Sequence, residues 1–361
     1  MNFCFNLDEI STIIAKAELG CITPNEHSFL QKVIAVQTVI NQYSKNINEQ
    51  ALHFQKLIYK YYTFVCYNLE RNSLNEKELT DLFLLKNSLE KFNYCEPKFN
   101  LGYDKPLSNF YLLLELAKIW KIEINDKFES KINFIKHLMH NFYGIPINLV
   151  EKIFELVLGN WKPILAPLGG IINKKYSLKE IEDYFFGENY RPGYKIQIID
   201  KIDRFFSLVD SVHQNYVFLS KETDYDVFEA ALVVHELQHI LDAKQNTILP
   251  NTLSSEENLY LSEKSALNSE RIFLIGNGSS KRGKYAWIES NLFYPLMLLK
   301  CELLTYKSNE QVTMNFKSVC LAHGMEAIGL SSLFDWGAPF QMSAYCAAAM
   351  ELEQNWKKYI Q

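Results

Sequence analysis

The chain has 361 residues, of which 48% are hydrophobic and 22% are charged, and its formal net charge is −5. This hydrophobic fraction is typical of a globular protein and excludes an intrinsically disordered chain. The slightly acidic balance gives no support to a nucleic-acid surface, so we expect no nucleic-acid partner.

The first half of the chain carries the start signals of consecutive helices. An N-cap threonine, a first-turn proline and a capping-box glutamate occur together at 23–26, ahead of a periodic apolar stretch that ends near residue 43. Ser73 and Ser177 each open the same box, and Gly144 and Gly159 are plausible helix ends. Helical spacing also predicts helices over 49–71, 106–120, 129–142 and 147–158. We therefore predict a helical domain of unknown role over residues 1–175.

The pattern changes after residue 160. Prolines and glycines between 161 and 176 interrupt the helical spacing and place a domain boundary near 175. Tyr194–Ile199 then alternates between apolar and polar residues, and Asn215–Leu219 is short and rich in β-formers. The predicted fold class is mainly α, or α+β, with a second domain over 176–361 that combines a small β-sheet with one long helix.

That long helix, predicted over 226–244, contains the pattern HExxH at His235, Glu236 and His239. Four residues turn a helix by about 400°, so both imidazoles emerge on one face, one turn apart. This spacing lets two imidazole nitrogens bind one Zn²⁺ at about 2.0–2.1 Å. Glu236 can then reach a zinc-bound water, take its proton and pass that proton to a leaving amine. The pattern predicts Zn²⁺ as cofactor and Glu236 as the general base.

The segment Val233–His239 resembles the active-site helix of the zincin metallopeptidases. Their metzincin form needs a glycine three residues after the second histidine and a histidine six after it, but Asp242 and Gln245 stand there. Their gluzincin form takes a glutamate from a second helix, often as ExxA, which Glu263–Ala266 offers. The resemblance covers about residues 194–275. It implies a gluzincin-like peptidase domain that acts on a peptide or protein substrate.

The third metal ligand is open among several acidic residues. The resemblance favours Glu263, while Glu270 lies two turns further along the same predicted face. Asp242 lies on the histidine face and could be either a ligand or an acceptor for an imidazole N–H. Glu256 and Glu257 are further alternatives.

A peptidase of this kind also needs a hydrogen-bond donor for the developing oxyanion. Tyr260 lies one turn before Glu263, and His323 lies at a helix end in an apolar region, so both are candidates. The alternative roles are packing for Tyr260 and helix capping for His323.

The cysteines and the N-terminus bear on localisation. Seven cysteines without a CxxC pair indicate free thiols in a reducing compartment, so a cytoplasmic protein is expected. The sequence shows no secretory signal and no run of about 18 apolar residues that would span a membrane. Export of an effector or toxin by another route is the alternative.

The predicted function is therefore that of a zinc-dependent hydrolase, a metalloendopeptidase with His235, His239 and Glu263 as metal ligands. The alternative is a non-catalytic helical binding protein whose zinc site is structural or vestigial.

Overall fold

A computed structural model describes part of the chain. The described residues are 5–18, 26, 29–30, 33–34, 57–58, 113–118, 120–125, 127–164, 174–187, 193–198, 206–208, 215–219, 221, 223–245, 259–277, 280–308, 316–325 and 339–361. The chain divides into two compact units. Unit 1 comprises Met1–Phe99, Gly193–Lys221 and Ala243–Ser255, and unit 2 comprises Asn100–Pro192, Glu222–Asp242 and Glu256–Gln361. Neither unit ends at residue 175, and the boundary there stays a prediction.

Most of the described residues are helical. The helices are α1 (Leu7–Glu18), α2 (Phe128–Asn141), α3 (Ile147–Leu158), α4 (Leu178–Phe186), α5 (Val227–Gln245), α6 (Leu259–Asn277), α7 (Ser280–Ile288), α8 (Tyr294–Ser308), α9 (Phe316–Ala322) and α10 (Ser343–Leu352). A π-helical turn over Glu289–Phe293 joins α7 to α8, and a 3-10 turn over Trp356–Tyr359 follows α10. Together with a small sheet, these elements confirm the predicted mainly helical, α+β class.

The sheet lies in unit 1 and has the strand order β1-β3-β2. Its strands are β1 (Tyr194–Ile198), β2 (Phe206–Leu208) and β3 (Asn215–Leu219). β1 runs parallel to β3 with Ile196 opposite Val217, and β2 runs antiparallel to β3 with Ser207 opposite the same residue. The predicted strands correspond to β1 and β3. β2 was not predicted because three residues are too few to show an alternating pattern.

Local signals account for the helices around α4. The Ser177 hydroxyl accepts a hydrogen bond from the Glu180 backbone N–H at 3.2 Å, and the Glu180 carboxylate accepts from the Ser177 N–H at 2.7 Å. This is the reciprocal capping box that the sequence predicts. Gly159 ends α3, and a Cβ there would lie 2.8 Å from the Glu155 carbonyl oxygen, so the close approach requires glycine.

Some of the other predicted helices lie within the described residues, and some lie outside them. α2 and α3 confirm the helices predicted over 129–142 and 147–158. Residues 113–118 are helical within the stretch predicted over 106–120. The helices predicted over 23–43 and 49–71, and the one that begins at the Ser73 capping box, lie outside the described residues, except for a few helical positions in the first two.

The core of unit 2 buries one face of α5 and much of α6 and α10. In α5, the residues Ala230, Ala231, Val233, Val234, Leu237 and Ile240 are at most 1% exposed. In α10, three consecutive alanines, 347–349, are fully buried, and α6 packs closely against this helix. Short side chains on α10 allow this close approach, which places the polar residues of α6 beside α5 and α10.

Two further findings concern the described residues. None of the described helices combines the length and the apolar character that crossing a bilayer requires. Cys301, Cys320 and Cys346 are buried thiols, and burial raises the pKa of the Cys320 thiol to about 11. Such thiols remain protonated and unreactive at neutral pH.

Candidate metal centre

The two imidazoles of α5 and a carboxylate of α6 converge on one point. His235 Nε2 lies 3.2 Å from His239 Nε2 and 3.3 Å from Glu263 Oε2. The third distance, from His239 Nε2 to Glu263 Oε2, is 3.9 Å. Among the described residues, these three side chains form a group whose ligand atoms all lie within 4.8 Å of one another.

These distances match the donor set of a single small cation. Ligand atoms about 2.0–2.1 Å from a tetrahedral Zn²⁺ lie about 3.3 Å from one another. Two of the three observed distances, 3.2 and 3.3 Å, agree with this spacing, and the third, 3.9 Å, is slightly wider. The two-histidine, one-glutamate donor set also fits the preference of Zn²⁺ for imidazole and carboxylate ligands.

The Glu263 carboxylate is buried and only partly satisfied. Its residue is 6% exposed, and Oε2 has no hydrogen bond of good geometry to any described residue. Burial acts to raise the pKa of Glu263, but its interaction with the two histidines outweighs burial and lowers that pKa. A buried anionic oxygen is costly without a partner, and a cation shared with the imidazoles would supply one.

The outer nitrogen of each imidazole has its own partner. His235 Nδ1 lies 3.2 Å from Glu270 Oε2, and His239 Nδ1 lies 3.0 Å from the Ser262 hydroxyl. Glu270 Oε1 in turn accepts a hydrogen bond from the Asn291 amide at 2.8 Å. Such partners fix the ring orientation of metal-binding histidines, and here they turn both Nε2 atoms towards the shared point.

The same contacts shift the pKa of His235. Burial acts to lower the pKa of its imidazole, but the interactions with Glu263 and Glu270 outweigh burial and raise that pKa well above its ordinary value. The His235 ring therefore lies between two carboxylates, with Glu263 at Nε2 and Glu270 at Nδ1.

Glu236 and Asp242, the other predicted acids of α5, have different surroundings. Glu236 is half-buried, and its negative charge contributes to the raised pKa of both His235 and Tyr345, so it lies beside the cluster. Asp242 instead accepts a hydrogen bond from Gln238 Nε2 at 2.6 Å. Its described contacts therefore serve α5 itself and do not reach an imidazole.

The structure does not join the two predicted oxyanion donors to this cluster. Tyr260 is 4% exposed, and its hydroxyl has no hydrogen-bond partner among the described residues. His323 Nδ1 lies 2.6 Å from the Trp161 carbonyl oxygen, and the two rings pack with centroids 4.9 Å apart. No contact between described residues links either side chain to the imidazoles of α5, and their oxyanion role stays a prediction.

Tyr345 of α10 joins the site without having been predicted. Its ring lies nearly parallel to that of His235, with centroids 6.4 Å apart and an interplanar angle of 3°. Burial, together with the charges of Glu263 and Glu236, raises the pKa of Tyr345 well above its ordinary value, so the hydroxyl remains protonated. The only sequence signal for this residue is a hydroxyl-bearing aromatic within a run of alanines.

No known family model, curated protein or solved structure matches this chain. Any statement about what the protein does therefore depends on the chemistry of the side chains at this site. The cluster between α5 and α6 contains the relevant donors, and Glu236 lies next to it in the chain.

Proposed function

We propose that the protein is a zinc-dependent hydrolase, a metalloendopeptidase whose site belongs to a gluzincin-like domain within residues 176–361. The observation that carries this proposal is the convergence of His235 Nε2, His239 Nε2 and Glu263 Oε2, with 3.2 and 3.3 Å between His235 and its two partners. The adjacent Glu236 adds a base on the same helix.

The donor set fits Zn²⁺, which His235, His239 and Glu263 would hold. When bound, Zn²⁺ supplies a Lewis acid that polarises a carbonyl and lowers the pKa of a water ligand to about 7. The group offers three protein ligand atoms among the described residues. Three protein ligands are typical of catalytic zinc, whereas structural zinc usually has four, so the three donors found among the described residues favour hydrolysis over a structural site.

The protein's own side chains transfer the proton and orient the metal ligands. Glu236 accepts a proton from the attacking water as the water oxygen bonds to the scissile carbonyl carbon. Glu236 then donates this proton to the amide nitrogen as the C–N bond breaks, so that one peptide becomes a carboxylic acid and an amine. Glu270 and Ser262 orient the imidazoles through their outer nitrogens.

Metal analysis and hydrolysis assays on the wild type and on Glu236→Gln test this proposal. We expect about one zinc per chain in both proteins and loss of hydrolysis by 100-fold or more in the variant, since a general base contributes about 10²–10⁴-fold. Cleavage is measured as the appearance of new amino termini in a mixture of unstructured polypeptides. Glu229→Gln, a matched change two turns earlier on α5, is expected to keep full activity.

Two results would contradict the proposal. If the wild-type protein takes up no zinc from a metal-buffered solution, the assignment of the metal centre is wrong. Undiminished hydrolysis by Glu236→Gln would remove the assigned base. Stoichiometric zinc without hydrolysis of any polypeptide would instead favour the binding protein with a structural or vestigial site.

A further inference from the structure

The π-helical turn between α7 and α8 holds a buried amide that reaches the candidate metal centre. Asn291 lies within this turn, Glu289–Phe293, and is 8% exposed. π-Helical turns are rare and are found frequently at functional sites. The Asn291 amide donates to Glu270 Oε1 at 2.8 Å.

Glu270 transmits this contact to an imidazole. It is 3% exposed, and its two carboxylate oxygens have different partners. Oε1 accepts from Asn291, while Oε2 lies 3.2 Å from His235 Nδ1. With both oxygens held, the carboxylate has a fixed orientation, and so does the imidazole next to it.

We propose that Asn291 is a positioning residue of the metal centre. It orients the Glu270 carboxylate, which in turn holds the His235 ring with Nε2 directed towards Glu263 and His239. The inference rests on the metal site of the proposed function but does not depend on peptide hydrolysis. The π-helical turn thereby places the Asn291 amide against Glu270, the carboxylate that contacts the ligand His235.

A purely structural role for Asn291 makes a different prediction. If the amide only fills space in the turn, leucine of similar size replaces it without changing metal affinity, whatever its effect on the stability of the fold. If the amide positions His235 through Glu270, its removal weakens metal binding even in fully folded protein. Zinc affinity and folding are therefore measured separately.

The test is a zinc titration of the full chain against a competing chelator, with circular dichroism confirming the fold. We expect Asn291→Leu to weaken Zn²⁺ binding by about 10-fold, the lower end of the range for groups bonded directly to metal-binding histidines, because Asn291 acts one contact further out, through Glu270. Leu292→Ala is the matched control, because Leu292 is buried in the same turn. This control lowers the stability of the fold but keeps the zinc affinity of the folded protein within about twofold.

A double-mutant cycle tests the path through Glu270. In a Glu270→Ala background, Asn291 has lost the carboxylate through which it acts, so we expect Asn291→Leu to cause no further weakening. The inference is overturned if Asn291→Leu binds Zn²⁺ as tightly as the wild type, if Leu292→Ala weakens binding equally, or if the Asn291→Leu effect is the same in both backgrounds.

The outcomes also separate this inference from the proposed function. Zinc binding that depends on Asn291, in a protein that hydrolyses no polypeptide, supports the positioning role and contradicts the hydrolase. Hydrolysis and zinc binding that are both insensitive to Asn291→Leu contradict only the positioning role. Absence of zinc binding by the wild type overturns both.

Discussion

At the scale of single residues, the choice of partner separates the acidic side chains near the two imidazoles. Glu263 Oε2 lies 3.3 and 3.9 Å from the two Nε2 atoms, whereas Glu270 contacts the opposite side of the His235 ring, at Nδ1. Asp242 bonds to Gln238, whose Oε1 accepts from the Ser269 hydroxyl at 2.7 Å. This last contact links α5 to α6 without touching the cluster.

This difference predicts how two alanine substitutions affect metal affinity. Glu263→Ala removes one of three ligand atoms, so we expect zinc affinity to fall by more than the roughly 10–100-fold caused by losing an outer partner. Asp242→Ala, the matched control on α5, is expected to leave zinc affinity within about threefold of wild type, because its carboxylate bonds to Gln238 and supplies no ligand atom to the cluster. Competition with a chelator measures both. The reverse order of effects would assign the third ligand to Asp242.

Whether a site residue could be predicted depends on whether it shares a helix with the other site residues. His235, Glu236 and His239 share one helix, and the helical repeat fixes their faces, so sequence spacing is sufficient. Tyr345 and Asn291 belong to other elements. Their approach depends on how α10 and the π-helical turn pack, which no local pattern encodes.

At the scale of elements, nearby residues determine some features of the secondary structure, and tertiary packing determines others. The capping box of α4 and the glycine end of α3 are determined by nearby residues, and the sequence predicted both. The π-helical turn was not predicted, because Glu289–Phe293 contains no glycine or proline that would mark an irregularity within a helix. Within this turn, the Asn291 amide donates to Glu270 of another helix, a contact that the local sequence does not predict.

Two ion pairs connect α6 to the end of α10. The buried Glu353 carboxylate accepts from Arg271 at 2.9 Å and from Lys358 at 3.3 Å. Burial acts to raise the pKa of Glu353, but these cationic hydrogen bonds outweigh burial and lower that pKa. The Glu351 carboxylate pairs with Lys264 at 2.6 Å, but its side chain is 41% exposed. The two pairs thus lie on the same helices in different environments.

We expect Glu353→Gln to destabilise the fold by about 1–2 kcal/mol at neutral pH, the range for hydrogen bonds to charged groups in partly buried sites. Because the folded pKa of Glu353 is lowered, its contribution is present above the pKa of the unfolded carboxyl. It is lost as pH falls through the folded pKa. The difference in free energy of unfolding between wild type and variant should therefore shrink on acidification. Denaturant unfolding of both proteins at several pH values, from pH 7 down to pH 4 or below, measures this difference.

Glu351→Gln serves as the control for this pH dependence. Its exposed pair contributes at most about 1 kcal/mol, so this variant should differ little from wild type at any pH. A loss in Glu353→Gln that is constant or grows towards acidic pH would contradict the assigned role of the ion pairs.

At the scale of the whole molecule, the candidate metal centre belongs to one of the two compact units. His235, His239, Glu263, Glu270, Asn291 and Tyr345 all lie in unit 2, and the three-stranded sheet lies in unit 1. A ligand that binds only the folded state stabilises whatever part of the chain must remain folded to hold it. Zinc is therefore expected to stabilise unit 2 specifically.

Hydrogen exchange with and without Zn²⁺ tests this expectation. At a free zinc concentration of 100 times the dissociation constant, binding adds about 2.7 kcal/mol to the stability of the folded site. Amides of Leu259–Asn277 that exchange by unfolding of unit 2 should then slow by about 100-fold, the same free energy expressed as a rate. Amides of Asn215–Leu219 in unit 1 should not change. The doubly substituted His235→Ala, His239→Ala protein should show no slowing anywhere. Slowing that survives in that variant would place zinc at some other site, and equal protection of both units would show that the two units unfold together.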